Sequence, residues 1–325
     1  RDEQDIIGSA THKDPSIITG IMGGGRGYRN LPGYVEVGQT YVLLNGTDYN
    51  LRNNATPMAY RVYGGGNLSL VHHTRIDAYS GTVRQIFGGT HGVKTVEMID
   101  TVPYNVGSTL INYYEGMIYP LTDVFGAGAN SGSEFSVINL YGGNVNNVHG
   151  GAYTEGYTWD SEINVPNNST IHANAIFGGG LGEEEGRPCD VGTSTLNYHS
   201  EQATIELGLF GGNNTARATK ESYINVNVPV RNSNGILQSV YGAGYGNATV
   251  AGFTHIDLQE GAHVAKVYGG GKEGKVYNHY NYYFTEDEAV KDYYDKGFGH
   301  NANWSTNASQ SNTHIKIRQG AVVEN

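Results

Sequence analysis

The apolar positions of this chain recur with period two, not 3.6. Thr254-His255-Ile256-Asp257-Leu258 alternates polar and apolar residues, and Gly261 follows before the next apolar stretch. Thr74-Arg75-Ile76-Asp77-Ala78 with Gly81 repeats the pattern, as does Thr313-His314-Ile315-Lys316-Ile317 with Gly320. Shorter versions stand at Ile163-Asn164-Val165, Ile205-Glu206-Leu207 and Ile224-Asn225-Val226. Such alternation, rich in β-branched residues, predicts half-buried strands. It turns the aliphatic residues inward and Arg75, Asp77, His255, Asp257, His314 and Lys316 outward.

A second string, aliphatic–aromatic–glycine–small, recurs along the chain. Its copies pair Tyr63 with Gly64, Phe87 with Gly88, Phe125 with Gly126 and Tyr141 with Gly142. Phe177 with Gly178, Phe210 with Gly211, Tyr241 with Gly242 and Tyr268 with Gly269 complete the set, and Met22-Gly23 is a degenerate first copy. First glycines are separated by 41, 24, 38, 16, 36, 33, 31 and 27 residues, which describes a constant unit carrying insertions. The three-residue step from Val83 to Ile86, or from Val264 to Val267, predicts a bend or bulge between the two strands. Leu68-Ser69-Leu70-Val71 and Asn247-Ala248-Thr249-Val250 suggest a third short strand.

Strand, glycine turn, strand and glycine corner in a minimal unit of 24 to 27 residues fit one coil of a stacked solenoid. The expected fold is a right-handed parallel β-helix formed by one unit over 1–325, its start ill-defined over 1–19. The aromatic residues from Tyr63 to Tyr268 would then stack as a ladder, facing either core or solvent. A β-propeller of kelch type is the competing architecture, but its blades repeat at about 50 residues with a recurrent Trp, whereas the shortest spacings here cannot hold a blade and Trp159 and Trp304 are out of phase. Gly261 precedes Val267 by six residues, so Gly320 leads to the expectation that the parent protein continues past Asn325 with another such string.

Residues 272–312 interrupt the pattern with a Tyr-rich insertion. Thr285 and Glu288 form a capping box, Ala289, Val290, Tyr293 and Tyr294 form an apolar stripe, and Gly297 is a stop signal. A helix near 286–296 is expected there. Tyr280, Tyr282, Tyr283, Tyr293, Tyr294 and Trp304 are the candidate ligand-binding residues, because rings among Asn and His neighbours suit sugars or a protein partner; the alternative is that they pack the helix onto a coil.

Composition narrows the class. Glycine is 48 of 325 residues and apolar content is 38%, which together exclude a collagen and a disordered tail. A net charge of −11 argues against a nucleic-acid partner, and no apolar run is long enough for a membrane span. Cys189 is the one cysteine, so no intrachain disulfide forms.

Catalytic and metal motifs are missing. A calcium roll needs Asp after its glycines, yet the strings are followed by residues such as Asn67, Thr90, Asn144 and Lys272. Gly271-Lys272-Glu273 fails as a phosphate loop, and the adjacent His72 and His73 point to opposite faces of a strand. No metal, cofactor or catalytic residue is therefore assigned. The enzymatic alternative is a β-helix polysaccharide lyase or glycoside hydrolase using outward carboxylates: Asp77, Asp257 and Glu206 occupy equivalent positions in different repeats. Glu183-Glu184-Glu185 with Asp190 forms a denser acidic loop, expected to be solvated.

These glycine strings and T-x-I-x-L strands resemble the repeats of large bacterial surface β-helix proteins, the adhesins and autotransporter-like passengers. The resemblance covers about residues 20–325 and implies export, with leader and anchor outside this stretch, and a role as stalk or adhesive surface. The expectation is a secreted or cell-surface solenoid that binds glycans or cell surfaces without catalysis. A self-associating filament or shell component, stacked end to end, is the third reading.

Overall fold

The computed structural model describes residues 18–26, 36–45, 59–81, 83–92, 106–114, 122–182, 189–276 and 313–324. Successive strands alternate between two all-parallel sheets, which makes the chain a parallel β-helix. The nine-stranded sheet stacks β1 (Ile18–Met22), β3 (Ala59–Tyr63), β5 (Val83–Phe87), β7 (Asp123–Phe125) and β9 (Asn144–His149) in that order. It continues with β11 (His172–Phe177), β13 (Thr204–Phe210), β15 (Val240–Tyr241) and β18 (Val267–Tyr268). The ten-stranded sheet holds β2 (Glu36–Asn45), β4 (Leu70–Ser80), β6 (Val106–Tyr113), β8 (Ser133–Leu140) and β10 (Thr158–Val165). It runs on through β12 (Val191–Tyr198), β14 (Ala216–Val226) and β16 (Ala248–Leu258), above which β19 (Lys275–Val276) and β20 (Thr313–Ile317) share one rung. β17 (His263–Val264) and β21 (Val322–Val323) pair beside them.

Each coil thus has two main strands, not three. Leu70–Val71 and Ala248–Val250 are the first residues of the long strands β4 and β16, which continue into the alternating pattern. The three-residue step is resolved differently from coil to coil. Val83 and Ile86 share the continuous strand β5, Val264 and Val267 lie in separate strands, and the β11–β13 pair carries a register shift opposite Gly208. Two turns need glycine outright. The Ala262 amide donates to the Gln259 carbonyl and the Ala321 amide to Arg318, with Gly261 and Gly320 at φ near +90°, as a type II turn requires.

The aliphatic residues of both sheets, such as Ile86, Ile176, Ile111 and Ile224, meet in one continuous core between the sheets. Neither sheet could bury that side alone, so stacking and core formation are one event. Residues 277–312 of the predicted insertion, with its helix and its tyrosines, fall outside the described residues. Its flanks are β19 and β20, which meet β16 at Ala251 and Thr254 respectively.

Candidate functional site

Three columns of side chains run along the stack, and they locate what the surface can offer. In the first, aromatic rings lie face to face at the ends of the nine-stranded sheet's strands. Tyr63, Phe87, Phe125, His149, Phe177, Phe210, Tyr241 and Tyr268 follow one another with centroids 4.7–5.1 Å apart. That spacing is the distance between hydrogen-bonded strands. The ladder lies neither in the main core nor, over most of its length, in solvent. It forms separate buried clusters, against which Tyr153 and Tyr245 pack edge-on.

One predicted rung is wrong. Tyr141 closes β8 of the other sheet and stacks on Tyr114, so Tyr141-Gly142 is not a ladder corner. His149-Gly150 takes that place: the Gly150 amide donates to the Phe177 carbonyl just as the Gly88 amide donates to Phe125. Spacings of 16 and 36 residues become 24 and 28, all within the range of the other coils.

The glycine corners are tied to the opposite sheet by a second column, of inward hydroxyls. Thr40, Thr74, Thr109, Ser136, Ser161, Ser194, Ser222 and Thr254 each donate to a glycine carbonyl of the next coil, from Gly64 to Gly269, at 2.5–2.7 Å. The same glycines admit no side chain. A Cβ on Gly88 would stand 2.2 Å from the Gly126 carbonyl oxygen, and one on Gly178 would stand 2.6 Å from that of Gly211.

The third column lies on the outer face of the ten-stranded sheet and is the candidate site. Asp77, Asn112, Asn139, Asn164, Asn197, Asn225 and Asp257 are in register on successive strands. Each asparagine donates its Nδ2 to the oxygen of the rung before it, at 2.7–3.1 Å, and the chain of amides ends on Asp77. Arg75 and the Tyr41 hydroxyl also donate to Asp77, which is only 2% exposed although it lies on the outward side. Burial raises the pKa of that carboxyl, but the bonds from Arg75, Asn112 and Tyr41 outweigh it and hold the group below the usual carboxylate range. At the other end Arg318 donates to Asp257, with its Nε 2.7 Å from Oδ1, and lowers that carboxyl likewise.

Beside the amides runs a short exposed stack of Tyr79, Tyr114 and Tyr141, at 4.2 and 4.8 Å. Burial, followed by the hydrogen bond with Tyr79, pushes the Tyr114 hydroxyl up to about 12, so it stays protonated at neutral pH.

Asp77 and Asp257 do share a column, as the alternation implied, but six rungs separate them, about 29 Å at the strand spacing. Two carboxylates must lie within about 10 Å to act on one glycosidic bond. Glu206 is not equivalent to them: it lies in β13 of the nine-stranded sheet, where its carboxylate accepts from the Ser233 amide and lies 3.7 Å from His172. Asp190 is buried rather than solvated, next to the buried Cys189, whose thiol donates to the Ala152 carbonyl. No cluster of metal-ligating side chains occurs among the described residues.

Of the residues that the sequence nominates, the repeat aromatics and glycines are placed as above, and Tyr280, Tyr282, Tyr283, Tyr293, Tyr294 and Trp304 lie outside the described residues. The asparagine column was overlooked. Its signal is legible in hindsight, since Ile111-Asn112, Ile138-Asn139, Ile163-Asn164, Leu196-Asn197 and Ile224-Asn225 repeat one aliphatic–Asn string. Comparison with protein-family models, curated proteins and solved structures finds no match.

Proposed function

We propose that this β-solenoid is a non-enzymatic adhesion or display module of a secreted or surface-attached bacterial protein, directed at glycans or cell surfaces. The observation that carries the reading is the asparagine column: one polar group repeated in register on five consecutive strands and tied rung to rung by its own hydrogen bonds. A ligand with repeated groups meets the same chemistry at every rung. The resemblance to glycine-rich bacterial surface repeats supports the same role, and the wide separation of Asp77 and Asp257 weighs against a glycosidase built on them. The test is retention of the purified chain on immobilised polysaccharides and whole cells, with the medium assayed for reducing ends and unsaturated sugars. Binding without product supports the reading; product release that disappears on substituting outward carboxylates would replace it with the hydrolase or lyase.

A further inference from the structure

We infer that the outward face of β6 and β8 is a contact site for a neutral oligosaccharide, laid along β8. This rests on the glycan-adhesion reading and narrows it to one place and one ligand chemistry. Along β8 and the residue that follows it the outward side chains are Phe135, Val137, Asn139 and Tyr141; beside them stand Ser108, Leu110 and Asn112 of β6 and Tyr114 just after it. Phe135 is 52% exposed and has no ring partner among the described residues, so a flat face is free. Among the described residues Tyr141 stacks on one ring, that of Tyr114. Between these two platforms Asn139 is held by one bond to Asn112 and one from Asn164. An amide carries two N–H groups and two oxygen lone pairs, so one of each remains for a ligand. Rings, aliphatic side chains and a pre-positioned amide match the apolar C–H faces and hydroxyls of a sugar.

Charge and size select the ligand. None of those eight side chains is an Asp, Glu, Lys or Arg, but the next rung places the exposed Asp160 opposite Phe135 and Glu162 opposite Val137, and Glu134 is exposed beside Phe135. On the other border Arg75 stands opposite Leu110 but is paired with Asp77, so the three carboxylates set the sign and repel an anionic polymer. The six residue steps from Phe135 to Tyr141 across two rungs cover about 20 by 10 Å, or roughly 200 Å². A stable protein partner needs about 800 Å². A few sugar rings fit the smaller figure.

The probes are laminarin, amylose and cello-oligosaccharides as neutral ligands and polygalacturonate as the anionic one, read by affinity electrophoresis and calorimetry on the full chain. The expected result is retention by at least one neutral glycan, insensitive to salt. Phe135→Ser and Tyr141→Ser should each weaken it about tenfold. Tyr141→Phe keeps its ring and most of the affinity, and Tyr60→Ser, exposed on the other sheet, leaves binding unchanged. Both serine variants remove exposed side chains, and an unchanged unfolding midpoint verifies that they fold. Neutral-glycan binding that survives the double variant overturns this site but leaves glycan adhesion standing. Binding to polygalacturonate alone, lost in salt, overturns the ligand class. No retention on any polysaccharide or cell overturns both readings. Cell binding that the variants weaken, and that protease treatment of the cells abolishes while glycosidase treatment does not, would assign the face to a protein partner instead.

Discussion

His149 is the one imidazole in the face-to-face ladder, fully buried between Phe125 and Phe177, with its Nδ1 unpartnered. Burial lowers its pKa from 6.5 to about 3, against a smaller opposing effect of a hydrogen bond with the Gly180 backbone. The folded chain therefore keeps a neutral ring, whereas the unfolded chain takes up a proton as the pH falls through 6.5. Stability is lost from about pH 6.5 down to about pH 3, and is present in full above that window. Near pH 5 the linkage amounts to about 2 kcal/mol, and near pH 7 to a few tenths. His149→Phe restores the ring found in the neighbouring rungs. It should remove this pH dependence and, by deleting the orphaned nitrogen, add about 1 kcal/mol at neutral pH. Urea unfolding of both proteins, followed by circular dichroism near pH 7 and near pH 5, gives the double difference in which all other titrating groups cancel. A variant that loses as much stability on acidification as the parent would refute the buried, neutral His149.

Other expectations concern the remaining two columns. Ser194→Ala deletes the hydroxyl bonded to the Gly211 carbonyl and should cost about 1–2 kcal/mol in the same unfolding assay. Gly178→Ala forces a methyl against that carbonyl oxygen and should cost about 1–3 kcal/mol, whereas Gly38→Ala, with open space around it, should stay within about 0.5 kcal/mol. Asn164→Asp removes the donor to Asn139 and puts a carboxylate beside Glu162, to which Asn164 now donates. Its pKa is raised by those neighbours, so the variant should lose about 2 kcal/mol near pH 7 and recover as the pH falls and the new acid regains a proton, opposite in sign to the His149 effect.

Local sequence determined the material of this fold. Period-two alternation identified strands such as β4, β16 and β20, the glycines after aliphatic–aromatic pairs marked corners, and the 24- and 27-residue spacings required stacked coils. What it could not determine is membership of a column, because that depends on register across insertions of varying length. Tyr141-Gly142 and Ile205-Glu206-Leu207 carry the expected local pattern and still belong to the other sheet, while His149, which breaks the aromatic rule, is the true rung. The 16-residue spacing, too short for a coil of two strands and two corners, was the sign of that error.

Facing was likewise a tertiary decision. A residue at the end of a strand points away from its aliphatic neighbour, and whether that side is wet depends on what returns over it. Here Tyr153 and Tyr245, distant in sequence from Phe87 and Phe177, cover the ladder. The asparagine chain forms only between coils, so no single repeat contains it, and each hydroxyl tie closes only when the two sheets bring strand and glycine corner together. Sequence supplied the repeating unit, and the stacking of one unit on the next decided which of its polar groups became structure and which side chains stayed exposed.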